Sequence, residues 1–302
     1  MLAAIVRGER MSLRGTLAYG CFAVFWALLF LGVAIGVHDL GAGTAAAVLA
    51  FAAATGLFGF ARLAGRRMVW RLNWTKVILG GVLAGAALAG AMLAMARIGV
   101  ALTAFVISAI PLFANLGGQL RGRSRLTGST ALGLGVGLVG LLLVAAAPVG
   151  DPSWRFIAGV LYALGTAVIA GACGRWFADQ VEQAQAVEHG VASLVVAAVL
   201  LLCVAPFTPG AGTPWSVLLV AVLGLGCGLL LLVAMSELAN SIPRRSAATL
   251  PGVGTVLAAV GGVLMLGEQV SVVEWFGAVL ILVGAALLSE SLLSLLPASW
   301  RR

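Results

Sequence analysis

Ten apolar runs, each about as long as a membrane-spanning helix, follow one another along this chain with connections too short to fold alone. They lie near 15–36, 42–61, 75–96, 98–120, 128–147, 156–177, 190–206, 215–236, 246–266 and 271–292. A spanning helix needs about 20 apolar residues, so 302 residues divided in this way leave no room for a soluble domain. The side chains agree, with 62% apolar and only 9% charged, where a soluble domain carries about a quarter charged. The predicted fold is therefore all-α and integral to a membrane, with ten transmembrane helices. Tight connections around Arg97 and around Gly267 to Ser271 each predict an antiparallel hairpin, and FTPGAGTPW, between the seventh and eighth runs, reads as a surface turn. The first run lacks a small-residue cleavage site and is read as an uncleaved first helix.

A net charge of +8 could suggest nucleic acid, but the basic residues are placed as topology signals. With a cytoplasmic N-terminus and ten spans, the internal segments hold Arg7, Arg10, Arg14, Arg62, Arg66, Arg67, Arg71, Lys76, Arg121, Arg123, Arg125, Arg175, Arg244, Arg245, Arg301 and Arg302. Only Arg97 and Arg155 of the eighteen fall outside, a partition that one missed helix would scramble. Both termini are thus expected in the cytoplasm and the chain in the cytoplasmic, or inner, membrane. Trp70, Trp74, Trp154, Trp176, Trp215, Trp275 and Trp300 sit near predicted span ends, as interfacial anchors do, while Trp26 lies mid-span. Cys21, Cys173, Cys203 and Cys227 lie inside apolar runs without metal-ligand spacing and read as buried small hydrophobes.

The chain also resembles itself. An offset of 144 aligns Ile98 with Ile242, Ala104 with Ala248, Ala114 with Ala258, Gly117 and Gly118 with Gly261 and Gly262, and Leu120 with Leu264. It further aligns Gly133 with Gly277, Leu138, Val139 and Gly140 with Leu282, Val283 and Gly284, and Gly80 with Gly224. Two copies follow, 15–147 and 156–292, flanked by cytoplasmic tails 1–14 and 293–302. Five spans is an odd number, so the second copy must enter the membrane from the opposite side. The loops show this inversion: LRGRSRLTG carries three arginines, while its equivalent LGEQVSVVEW carries two glutamates and no basic residue. Two inverted five-helix repeats around a midplane site are the arrangement of alternating access.

Residues 258–284, AAVGGVLMLGEQVSVVEWFGAVLILVG, resemble the signature of the EamA family of the drug/metabolite transporter superfamily. The pattern is a small-residue-rich ninth helix, an LGE turn, then an aromatic, a glycine and an apolar tenth helix. Pro111, Gly122 and GLGVGLVG resemble the matching part of the first copy, and length and span count extend the likeness over the whole chain. The resemblance implies export of small metabolites or amino acids by secondary transport from the cytoplasmic membrane. Thr255 stands where the second copy would match Pro111, with Pro251 one turn earlier, and Arg123 and Ser124 replace a commonly acidic turn. EHGVASLVVAAVLLL resembles the seventh helix of threonine and homoserine exporters over too few residues to fix a substrate.

No motif for hydrolysis, metal binding or nucleotide binding is present, so neither an enzyme, a cofactor nor a metal is expected. No carboxylate falls at a predicted midplane, which disfavours proton coupling through a buried acid and leaves neutral polar and aromatic groups to bind the substrate. Ser108, Pro111, Asn115 and Gln119 share one face of the fourth helix, where Asn115 could contact a substrate or make an interhelical hydrogen bond. Pro111 is a hinge candidate because it leaves a carbonyl unpaired. Tyr19, Phe22 and Trp26 share a face of the first helix, and Tyr162, Thr166 and Cys173 one of the sixth. The two tyrosines read either as cavity residues or as interfacial anchors, and Trp26 as a stacking surface or as core. Gate or hinge candidates are Pro111, Glu237, Pro251 and Thr255, with a solvated interfacial charge the alternative for Glu237; Arg97 reads as a snorkelling surface cation. The expected partners are a small-molecule substrate and the lipid bilayer, with a homodimer as the candidate assembly and no nucleic acid. Two competing readings are a membrane protein that handles lipid or senses a ligand without translocation, and an importer of the same fold.

Overall fold

Leucine, alanine and glycine in apolar surroundings satisfy their backbone by coiling on themselves. The computed structural model describes residues 13–66, 68, 70–121, 128–146, 153–173, 185–233 and 250–288, and among these the regular structure is entirely helical. Helix α1 (Leu13–Leu40) is joined through Gly41 to α2 (Ala42–Leu63); then come α3 (Trp74–Ile107), α4 (Ile110–Leu120) and α5 (Gly128–Ala146). Helix α6 (Trp154–Val168) closes in a π-helical turn, Ile169–Cys173, and α7 (Ala186–Val204) in a 3-10 turn, Ala205–Phe207. The chain continues as α8 (Pro214–Val233), α9 (Leu250–Leu266) and α10 (Val272–Leu288). Among the described residues five stretches are long and apolar enough to cross a membrane: Ala23–Leu40, Ala42–Leu63, Trp74–Ile107, Trp154–Gly171 and Ala186–Phe207. Helices α5, α8, α9 and α10 are equally apolar but shorter within the described segments.

Outward faces are apolar, the reverse of a soluble bundle. Leu218, Val222, Leu225 and Leu229 form an exposed stripe on α8, and Val24, Leu28 and Ile35 one on α1. Such faces have no need of one another in lipid, so contact between helices depends on close backbone approach. Glycine provides it. A methyl group on Gly140 would lie 2.5 Å from the Gly277 carbonyl oxygen, and one on Gly277 2.7 Å from the Gly140 carbonyl oxygen. Gly133 and Gly284 meet in the same reciprocal way, at 3.0 and 2.6 Å, so α5 and α10 run antiparallel with their backbones in contact.

The other glycine contacts fix further directions. Gly81 faces Ser193 and Val196 while Gly85 faces Ala197, so α3 and α7 run parallel. Gly224 faces Leu49 and Ala52 while Gly228 faces Ala53 and Leu57, so α2 and α8 also run parallel. Gly32 meets Leu223 and Gly36 meets Val220, which sets α1 antiparallel to α8; Trp26 meets Gly254 and Leu31 meets Gly261, which sets it parallel to α9. Three apolar clusters result among the described residues: one around α1 and α2 with Phe30, Leu49 and Met92, a second around Phe105, Leu112 and Ile281, and a smaller third where Leu57 and Ala61 of α2 meet Val187 and Val191 of α7.

Several expectations are corrected. The turn expected around Arg97 falls at Gly99, the one non-helical residue of α3 (φ 78, ψ 179), and helical hydrogen bonding resumes at once and runs to Ile107. The expected fourth span is broken at Ser108 and Ala109, and Pro111 lies in the first turn of α4, where a missing N–H costs nothing, rather than in mid-helix. Glu188 and His189 are buried in the first turn of α7, next to a connection that the sequence marks only by its polar residues. There the His189 ring bridges the Gln185 carbonyl and the Asn73 N–H. Trp275, in the first turn of α10, is partly buried and packs edge-to-face on Phe105 at 5.1 Å, against the second core. Cys203 is exposed on the outward face of α7, because an apolar thiol is as well placed against lipid as against a helix; Cys227 is partly covered.

Candidate functional site

The site lies at the end of the bundle where α1 turns into α2, and three carboxylates organise it. Helix α9 stops at Leu266, Gly267 takes a positive φ of 69°, and the Glu268 amide donates back to the Gly262 carbonyl at 3.2 Å. This turn aims the Glu268 side chain at the restart of α3. The first amides after Gly99 have no carbonyl one turn behind them. Val100 N–H donates to Glu268 Oε1 at 2.6 Å and Ala101 N–H to Oε2 at 2.7 Å. A carboxylate at a helix N-terminus gains both charge-assisted hydrogen bonds and the favourable end of the helix dipole. Two glycines make the approach close enough, since a methyl group on Gly99 would lie 2.5 Å from Oε1 and one on Gly262 2.8 Å from Oε2.

Asp39, near the end of α1, performs the same service for α8. Its Oδ2 accepts the Thr213 N–H at 3.2 Å, the Thr213 hydroxyl at 2.6 Å and the Ser216 hydroxyl. Its backbone carbonyl accepts the Gly212 N–H at 3.0 Å. Glu274 forms a capping box with Ser271: the Ser271 N–H donates to Oε2 at 2.6 Å and the Glu274 N–H to Ser271 Oγ at 3.2 Å. All three acids thus hold the starts of helices.

Between Asp39 and Glu268 lies a cavity of about 1040 Å³. Its wall is mostly aliphatic, including Ile35, Val37, Leu93, Val100 and Leu266, and its ionisable lining is His38, Asp39, Arg97 and Glu268. The Arg97 guanidinium sits 4.8 Å from the centroid of the Tyr162 ring and donates one hydrogen bond to the Leu93 carbonyl, at 3.1 Å. Stacking on an aromatic face holds the cation in place while leaving its in-plane N–H groups available.

Among the described residues, none of the substrate-site or gate candidates singled out from sequence lines this cavity. Trp26 lies against Gly254 of α9 and 5.8 Å from the Phe30 ring, within the first core. Ser108 is buried at the α3/α4 break and donates to the Phe105 carbonyl at 2.6 Å. Gln119 Nε2 donates to Asn115 Oδ1 at 2.8 Å, and Gln119 Oε1 is buried with no hydrogen-bond partner among the described residues. Thr166 donates to the Ala87 carbonyl at 3.1 Å and to its own helix at Tyr162, joining α6 to α3 beside Gly90. Thr255 is buried on α9, and Tyr162 is half-exposed beneath Arg97. The side chains of Tyr19 and Pro251, and all of Glu237, lie outside the described residues. Sequence reasoning missed Asp39, Arg97 and Glu268 as a group; the signal for the last was the pairing of an LGE turn with a glycine at a helix restart.

Residues 157–290 match the EamA-like transporter family. A solved protein, described only as a crystal structure of a protein, superposes with a TM-score of 0.62 at 21% identity, over 90% of this chain and 95% of its own. That likeness establishes a shared fold. No curated protein matches the chain.

Proposed function

We propose, from the match of residues 157–290 to the EamA-like transporter family, that the chain is a secondary transporter that exports small amphipathic metabolites, amino acids or related compounds, by alternating access. The matched family is one of transporters, and with the apolar helices it supports the reading of the chain as a multi-pass membrane protein of the drug/metabolite transporter type. In this reading ten spans form two inverted copies, 15–147 and 156–292, in the cytoplasmic membrane with both termini in the cytoplasm.

The observation that carries the reading is the reciprocity of the glycine contacts. Under the 144-residue offset Gly133 is equivalent to Gly277 and Gly140 to Gly284. The contacts are Gly133 with Gly284 and Gly140 with Gly277, the pair of crossed contacts that a two-fold axis between α5 and α10 requires. A second pair of helix contacts follows the same rule. Leu49, Ala52 and Ala53 meet α8 as Ser193, Val196 and Ala197 meet α3, each shifted by the same 144. Two equivalent halves that exchange roles about such an axis are the machinery of alternating access.

The neutral candidates Trp26, Ser108, Asn115, Gln119 and Thr166 serve in this reading as the midplane site and Tyr19 and Tyr162 as residues of its two mouths, with Pro111, Glu237, Pro251 and Thr255 as gate or hinge positions. Buried polar groups such as Gln119 Oε1 support it, since an unpaired acceptor costs roughly 1–3 kcal/mol unless a ligand or water meets it. The cavity at the Gly41 end would be the release side of an exporter. Proteoliposomes loaded with a panel of radiolabelled amino acids test the proposal: efflux above protein-free vesicles is expected, and its absence across the panel would remove transport. Comparing inside-loaded with outside-loaded vesicles separates export from import.

A further inference from the structure

We infer that the cavity at the Gly41 end is a binding site for a small organic anion with an aliphatic body, and that Arg97 is the residue that receives its carboxylate. The inference deepens the transport reading and rests on it for the ligand being cargo, though not for binding itself.

Four ionisable side chains line the cavity, and two of them already accept several hydrogen bonds within the protein. Glu268 accepts two backbone N–H groups, one at each oxygen. Asp39 Oδ2 accepts three donors at the start of α8, and His38 stands beside it on α1. The charges of Asp39 and Glu268 are thereby set against the positive ends of two helices. Arg97 differs. Among the described residues it has no ion-pair partner and one hydrogen bond, to Leu93 O, from a group with five N–H donors.

The guanidinium is also fixed. It lies over the Tyr162 ring at 4.8 Å and is tied to its own helix one turn back. A pre-oriented planar fork at the edge of a low-dielectric wall binds carboxylate in two parallel hydrogen bonds at little further entropic cost. The rest of the wall decides what the carboxylate is attached to. Ile35, Val37, Leu93, Val100 and Leu266 surround the space with branched aliphatic surface, which favours an apolar body over a sugar or a nucleotide. The volume of about 1040 Å³ admits such a ligand together with water.

Three probes that share one skeleton test the inference on the full-length protein in detergent: 4-methylpentanoate, leucine and leucinamide. Thermal-shift titrations are expected to show stabilisation by the two carboxylates and none by the amide. Arg97→Gln should weaken both carboxylates about tenfold or more, the loss expected for a charge-assisted hydrogen bond. Arg97→Lys should retain part of the affinity, because the charge stays while the fork is lost. Tyr162→Leu, which leaves the charge and removes the ring beneath it, should weaken the same two ligands to an intermediate degree. The inference is overturned if Arg97→Gln binds the carboxylates within twofold of the wild type, if leucinamide binds as well as they do, or if none of the three binds the wild type. Flux in proteoliposomes distinguishes the two proposals. Carboxylates that bind through Arg97 but are not moved sink the transport reading alone, whereas undiminished flux in Arg97→Gln sinks the site alone.

Discussion

Glu268 and Val100, 168 residues apart, are joined by a 2.6 Å hydrogen bond from the Val100 amide to the Glu268 carboxylate. The bond makes the α9/α10 turn the N-terminal cap of the helix that restarts after Gly99, and Ala101 supplies a second donor. Two hairpins, one from each half of the chain, are therefore fastened at a single carboxylate beside the cavity.

Removing that carboxylate should loosen the fastening. Glu268→Gln keeps one acceptor and loses the charge and the second bond, for an expected cost of about 1–2 kcal/mol. Glu268→Ala leaves both amides without their acceptor and should cost roughly 2–3 kcal/mol. Thermal unfolding of the purified protein in detergent measures both, and a wild-type midpoint in Glu268→Ala would mean that the clamp contributes nothing to stability.

Gly99→Ala should be destabilising for two separable reasons. At φ 78 a side chain costs about 1–2 kcal/mol, and its methyl group would press on Glu268 Oε1. The double variant Gly99→Ala with Glu268→Ala isolates the second term. Its cost should be smaller than that of the two single changes added together, because neighbours that share a contact do not add. Strict additivity would place the whole effect in the backbone.

How much of this was legible in the sequence depends on whether the signal was periodic or pairwise. Apolar run length gives α1, α2, α5 and α10 to within a few residues of their described ends, since one repeating requirement, backbone satisfaction in an apolar medium, sets them; it overruns α6, whose α-helical part stops at Val168. The break at Ser108 was invisible because Pro111 can either kink a helix or begin one, and only the Ala109 carbonyl, which accepts from Leu112 and Phe113, decides which. The contact of Trp275 with Phe105 is not readable from its position near a span end, because the two residues are 170 apart in sequence. The capping roles of Asp39 and Glu268 are hidden for the same reason: each acts on an amide far along the chain, Thr213 and Val100.

The α5/α10 interface offers a test of backbone proximity. Gly140→Val would drive its side chain into the Gly277 carbonyl and the Ile281 amide, groups that cannot rotate away. Overpacking of this kind costs about 1–3 kcal/mol, and Gly277→Val should match it from the other side. Gly135→Ala on the same helix meets nothing within 4 Å and should be neutral or slightly stabilising. Equal thermal midpoints for Gly140→Val and Gly135→Ala would contradict the close approach of the two helices.

The Asn115 and Gln119 pair separates packing from recognition. In Asn115→Leu the Gln119 amide loses its acceptor as well as keeping an unpaired carbonyl oxygen, so both stability and transport should fall. In Asn115→Leu with Gln119→Leu no polar group remains unpaired at this point, and replacing both partners of a hydrogen bond by apolar groups is close to neutral for folding. The double variant should therefore regain the thermal midpoint lost in the single one. If the pair also binds the substrate, transport in proteoliposomes will stay low in the double variant while the midpoint recovers. Recovery of both together would assign the two amides to helix packing and move the midplane site elsewhere. Trp26→Phe completes the comparison, because it preserves an aromatic surface against Gly254 while removing the indole N–H, and a selective loss of transport there would mark the ring as part of the same site.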